Sequence, residues 1–98
     1  MGTVNIVFSS VGGNSGAMPA YNGHPISAEN VTSSGTSAQS TGSASGRGLA
    51  VRITPTVDIY AKIGTNPTAA VGDEWLIPAY MAMDFLVEPG DKVAVIDA

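Results

Sequence analysis

The chain has 98 residues, a net charge of −4 and no cysteine; only 12% of its residues are charged, while 44% are hydrophobic. That length holds one domain, no disulfide can staple it, and four basic residues are too few for the phosphate neutralisation that nucleic-acid binding demands. No apolar run approaches the roughly 18 residues of a membrane-spanning helix, and the N-terminus lacks the basic start and apolar stretch of a secretory signal, so neither membrane insertion nor signal-directed export is expected.

The first element is Thr3 to Ser9, where Val4, Ile6 and Phe8 alternate with polar neighbours. Period two with β-branched residues predicts a half-buried strand. Val11 to Pro25 then holds Gly12, Gly13, Gly16, Pro19 and Gly23. That density of breakers predicts a long loop or extended arm over residues 11–26, and a long loop in so small a domain is functional or packed on a partner.

Residues 32–48 read TSSGTSAQSTGSASGRG, and 13 of the 17 are Gly, Ser or Thr. A linker needs a domain on each side, and the preceding 31 residues offer one clear strand. The stretch is therefore read as one or two polar strands, Val31 to Thr36 and Ser37 to Ala44, rather than a tether ordered on assembly.

From Leu49 the alternation is clean again. Leu49, Val51 and Ile53 form one face of a strand; Val57, Ile59, Ala61 and Ile63 form that of the next. Gly64 to Pro67 and Gly72-Asp73 are turn signals. Glu74 to Ile77 is a short strand ended by Pro78. In Tyr80 to Val87, Met81, Met83, Phe85 and Val87 share one face while Tyr80 and Leu86 share the other. Eight residues after a proline are short for a helix, so a strand is expected despite the good helix formers present. Glu88-Pro89-Gly90-Asp91 fits a type II turn, which leads to a last strand, Lys92 to Ile96, expected to pair with Tyr80–Val87 as a hairpin. With no 3.6-residue period anywhere, the fold expected is all-β: a small antiparallel β-sandwich or jelly-roll-like barrel with an extended N-terminal loop or arm, in a single domain spanning 1–98.

No catalytic constellation stands out. His24, the only histidine, has no Gly-x-Ser-x-Gly elbow to serve. With no cysteine beside it, a zinc site is not expected. The carboxylates are spread singly, without the Asp-x-Asp-x-Asp spacing of a calcium loop. The Gly-rich stretch lacks the Lys and the following helix of a phosphate-binding loop, and Asn30-Val31-Thr32 is a glycosylation sequon only in a secreted protein. No cofactor, no metal and no enzymatic activity are expected.

Most of the aromatic residues, Trp75 included, are expected to fill the core. Tyr60 is set apart because it shares a face with Asp58 and Lys62, and Tyr80 because it lies opposite Met83 and Phe85. Soluble domains typically carry about 25% charged residues, so a surface this uncharged fits a subunit covered by neighbours. The residues expected to make those contacts are Met18, Pro19, Tyr21 and Pro25 in the arm, with Tyr60 and Tyr80.

Three segments carry a resemblance: SGTSAQS at 34–40, VRITPTVDIYAKIGTNPTA at 51–69 and VEPGDKVAVIDA at 87–98. They resemble a family of small structural proteins of tailed bacteriophages, encoded near the capsid genes. The resemblance runs from Val31 to the C-terminus; the Gly-rich Val11–His24 stretch has no counterpart in it. It implies a virion protein of the decoration or cement kind, located on the capsid surface after assembly in the host cytoplasm. The partners implied are the major capsid protein and further copies of the chain, not nucleic acid or membrane. A head-fibre base, connector or tail component is the alternative, and a carbohydrate- or host-surface-binding module is an alternative of another class.

Overall fold

The structure is a computed structural model that describes residues 2–12, 20–21, 25–46 and 49–98. These form nine strands and no helix: β1 (Gly2–Gly12), β2 (Ala20–Tyr21), β3 (Ser27–Ser33), β4 (Ala38–Gln39), β5 (Leu49–Pro55), β6 (Ile59–Gly64), β7 (Trp75–Ile77), β8 (Met83–Val87) and β9 (Lys92–Asp97). One antiparallel sheet runs β3-β1-β5-β8, with the two-residue β2 pairing the far end of β1; the other runs β4-β9-β6-β7. The all-β sandwich expected from the alternation is what forms.

The alternating positions build the core directly. Val4, Ile6 and Phe8 on β1 sit opposite Pro55, Ile53 and Val51 on β5. All six are buried. From the second sheet Ile59, Ala61, Ile77, Val93 and Val95 join the same apolar cluster. Burying each such side chain contributes about 1.5–3 kcal/mol, the main favourable term for a chain with no disulfide. Strand β9 is apolar on both faces because both are covered. Val93 and Val95 point into the core, while Ala94 and Ile96 pack with Ala69 and Tyr60 on the outer side. The loop that follows β6 thus roofs the last strand.

The polar stretch acts as a set of clasps. Among the described residues of this stretch, 32–46, only the end of β3 and the short β4 are strand, and serine hydroxyls take over where ladder bonds stop. Ser37 Oγ accepts from Ala69 N at 2.8 Å. Ser40 is buried; its Oγ accepts from Val93 N at 3.1 Å and donates to the Gly42 carbonyl at 2.8 Å. Ser33 Oγ, also buried, accepts from Gly2 N at 3.1 Å. The Ser33 hydroxyl also bonds the Asp97 carboxyl, and that bond is the largest of the influences holding this group below the ordinary carboxylate value. Asp97 N also donates to the Ser34 carbonyl at 2.8 Å, which links the end of β3 in one sheet to β9 in the other.

Two expectations need correcting. Tyr80–Val87 and Lys92–Ile96 do not form a hairpin: β8 pairs with β5, whereas β9 lies in the other sheet between β4 and β6. The Glu88–Asp91 turn itself has type II marks, with Asp91 N to Glu88 O at 3.0 Å and Gly90 at φ 89°. That turn twists against a two-residue hairpin and splays the strands it joins. Here it carries the chain across the sandwich, pinned by Gly90 N to Ala44 O at 2.7 Å and Ala44 N to Asp91 O at 2.8 Å. The stretch read as loop from Val11 is also shorter at its start. Val11 and Gly12 extend β1, and Ala20–Tyr21 pairs back on them; residues 13–19 and 22–24 lie outside the described residues.

Candidate protein-binding edge

The sandwich has two open sides, and they are built differently. On the β3/β4 side, the Glu29 carboxylate accepts from Thr41 N at 3.1 Å and Gly42 N at 2.8 Å, which fastens the following loop along β3. Gly42 permits that approach, since a Cβ there would lie 2.6 Å from Ser27 Oγ. Gln39 Nε2 donates to Asn66 Oδ1 at 2.9 Å and to the Pro67 carbonyl at 2.7 Å, which closes the β4 end. Sheet edges closed by such bonds do not invite further strands.

The β7/β8 side is apolar instead. Trp75 on β7 packs against Phe85 on β8 with ring centroids 5.3 Å apart and planes tilted by 52°, bridging the two sheets at their edge. Among the described residues seven large apolar side chains are exposed, and six of them, Val71, Trp75, Leu76, Tyr80, Met81 and Leu86, lie between residues 71 and 86. Leu86 is 84% exposed and Tyr80 78%. Scattered apolar residues are normal on a surface, whereas a concentration of them is what interaction sites commonly expose; here Leu76 lies on the outer face of one sheet and Leu86 on that of the other.

Backbone strain marks the same edge. Glu74 and Tyr80, one on each side of β7, adopt φ of 59° and 61°, the left-handed region that side-chain-bearing residues avoid. Three bonds hold the Tyr80 turn: Met81 N to Pro78 O at 3.2 Å, Tyr80 N to Pro55 O at 2.8 Å and Ala79 N to Asp58 Oδ1 at 2.8 Å. They fix a conformation that costs on the order of 1–2 kcal/mol, while the ring stays in solvent. Asparagine tolerates this region and keeps a Cβ, so Tyr80→Asn is expected to raise stability by about 1 kcal/mol. Chemical denaturation measures it; a loss of stability would show that the ring's contacts outweigh the strain.

Of the residues expected to make contacts, Tyr80 lies on this edge. Tyr60 is half-buried over Ala69, Ala94 and Ile96, and it stands opposite the exposed Leu76 across the β6–β7 ladder. Pro25 is exposed just before β3, toward the other side of the sandwich. Tyr21 belongs to β2, and Met18, Pro19 and His24 lie outside the described residues. Two expectations fail. Trp75, assigned to the core, is half-exposed because β7 is an edge strand. Met81, assigned to the core face with Met83 and Phe85, is exposed because β8 begins only at Met83. The sequence signal that pointed here was the apolar character of Leu86 and Tyr80 opposite Met83 and Phe85.

Charge on this edge is mostly local. Arg52 grips Asp84 across β5 and β8, Nε to Oδ1 at 2.9 Å and Nη2 to Oδ2 at 3.1 Å, and Lys62 reaches Asp73 at 3.3 Å. Both pairs are exposed and contribute about 0–1 kcal/mol each. Among the described residues no three His, Cys, Asp or Glu side chains gather where they could hold a metal ion. Comparison with family models, with curated proteins and with solved structures gives no match for this chain.

Proposed function

We propose that this chain is a structural, non-catalytic subunit of a tailed-phage virion, a decoration or cement protein that binds the outer surface of the major capsid lattice. The observation that carries the reading is the concentration of exposed apolar side chains on and around β7 and β8, at the side of the domain opposite the one fastened by side-chain hydrogen bonds. The low charge of the chain supports it, because a surface covered in an assembly needs little charge for solubility. The resemblance supports the setting; its segments fall on β4, on β5 and β6, and on β9 with the turn before it.

In this role the sandwich is a rigid block. Its two sheets share one core, so force on the edge is borne by inter-sheet packing rather than by one strand. Burial of an edge of this kind against the shell, together with surface around it, would supply the roughly 800 Å² per partner of a stable contact.

The test compares capsid shells with the protein, without it, and with a Leu76→Ser/Leu86→Ser variant in chaotrope titrations. The intact protein is expected to raise the midpoint of shell disruption, and the variant to lose most of that gain. An unchanged midpoint with the protein bound would sink the cement reading. Occupancy of one vertex or of the tail alone would move the assignment to a connector or tail part.

A further inference from the structure

Besides the two-residue β2, four strands end the two sheets: β3 and β8 in one, β4 and β7 in the other. An end strand leaves a row of backbone N–H and C=O groups unpaired, and proteins blunt that row with charge, proline, brevity or a covering loop. β3 is fastened to the loop after it through Glu29. β4 has two residues, and β7 has three, set between the left-handed Glu74 and Pro78. β8 is different. Its five residues, Met83–Val87, make an ordinary strand without proline or lysine. Its one charged side chain, Asp84, is gripped by Arg52 of the neighbouring β5. Among the described residues no backbone hydrogen bond reaches 83–87 beyond the ladder with β5.

The side chains at this edge are unfinished in the same way. Met83 and Phe85 face the core and are only partly buried. Trp75, which packs on Phe85 from the other sheet, stays 49% exposed. The gap between the sheets is thus closed by aromatic rings in contact with solvent, with no inward charge to repel a further strand.

We propose that a second copy of this chain closes the edge, with the two β8 strands antiparallel about a two-fold axis at Phe85 and the two sheets continuous across the join. Two-fold pairing is the commonest closed assembly of identical chains, and strand addition supplies main-chain hydrogen bonds along an exposed edge. Charge selects the register, because like charges directly opposite each other destabilise a strand pair. An axis on Asp84 would set that carboxylate against its own counterpart, and an axis on Leu86 would set Asp84 against Glu88. An axis on Phe85 sets Asp84 against Leu86, so no carboxylate faces another. On the inner side the same register sets Phe85 against Phe85 and Met83 against Val87, apolar on apolar. This inference concerns the chain alone and does not rest on the virion reading; the outer sheet faces stay available to a shell.

Sedimentation equilibrium of the intact chain over a concentration series, without shells, measures the association. Trp75 is the only tryptophan, so its emission follows closure of the edge and should move to the blue as dimer forms. The amides of residues 83–87 should gain hydrogen-exchange protection over the same concentrations. Leu86→Glu brings a carboxylate against Asp84 of the second copy and should weaken the dimer about tenfold, whereas Leu86→Lys meets the same carboxylate and should hold or tighten it. Leu86 is exposed, so both variants keep the fold of the single chain.

A chain that stays monomeric up to about 1 mM would overturn the inference and leave the virion reading standing. Equal weakening by Leu86→Glu and Leu86→Lys would mean contact through the outer face instead of the ladder. Indifference to both would put the dimer on another surface, and a trimer would exclude the two-fold pairing; each of these results overturns it. Protection of residues 83–87 that arises only on capsid shells would give the edge to the shell protein and overturn it too.

Discussion

Replacing Phe8 with alanine is expected to cost about 3–5 kcal/mol, the usual loss when a buried phenylalanine is truncated and its cavity stays partly open. Phe8 is fully buried at the centre of β1, with Ser27 of β3 opposite it on one side and Val51 of β5 on the other. A domain of this size holds about 5–15 kcal/mol in all, so the variant loses roughly a fifth of its stability or more. Thermal unfolding should move down by about 4–8 °C for each kcal/mol lost. Denaturant titration is the check, with a lower midpoint and an unchanged slope expected. Leu86→Ala on β8 is the control, and at 84% exposure it should change stability by less than about 0.5 kcal/mol. Similar losses for the two would refute the core assignment.

Ser40→Ala is the second large effect, and the less intuitive one, since it removes a single oxygen from a stretch that looks like filler. That oxygen accepts from the amide of Val93, a fully buried residue, and donates to the Gly42 carbonyl. Alanine leaves the amide without its side-chain acceptor, and a buried donor left unsatisfied costs about 1–3 kcal/mol. Ser45→Ala, exposed in the same stretch, should be close to neutral. Amide hydrogen exchange at Val93 separates the cause from general loosening. The signal should exchange faster in Ser40→Ala by more than the global loss explains. If Val93 stayed as protected as before, the clasp would not be the reason for any loss.

These two sites differ in how far a linear reading reaches. Phe8 was legible because Val4, Ile6 and Phe8 alternate, and period two puts every second side chain on one face whichever strands come alongside. The same local rule located β5, β6 and β9. Ser40 was not legible as a particular residue among so many serines. Its importance depends on the amide it meets 53 residues away, and nothing in QSTGSAS ranks one hydroxyl above another. The type II turn at Glu88–Asp91 lies between these cases: Pro-Gly predicted its geometry, but not that the strands on either side enter different sheets.

The candidate site follows the same division. Leu86 and Tyr80 were visible as apolar residues on the wrong face of a strand, and that pointed to a partner. Trp75 and Met81 were assigned to the core because a large apolar side chain normally belongs there. Their exposure follows from β7 and β8 being the last strands of their sheets. Being an edge is a property of what does not pair, and no residue in either strand encodes it.

The sequence by itself determined the all-β class, the inward faces of β1, β5 and β6, the type II turn at Glu88–Asp91 and the shortage of charge. All of these follow from backbone geometry and side-chain chemistry over a few residues. Only the tertiary structure decided which strands share a sheet, which side is clasped shut and which is left apolar. Those outcomes depend on long-range pairing, whose free energy is set by the whole set of contacts rather than by any one segment.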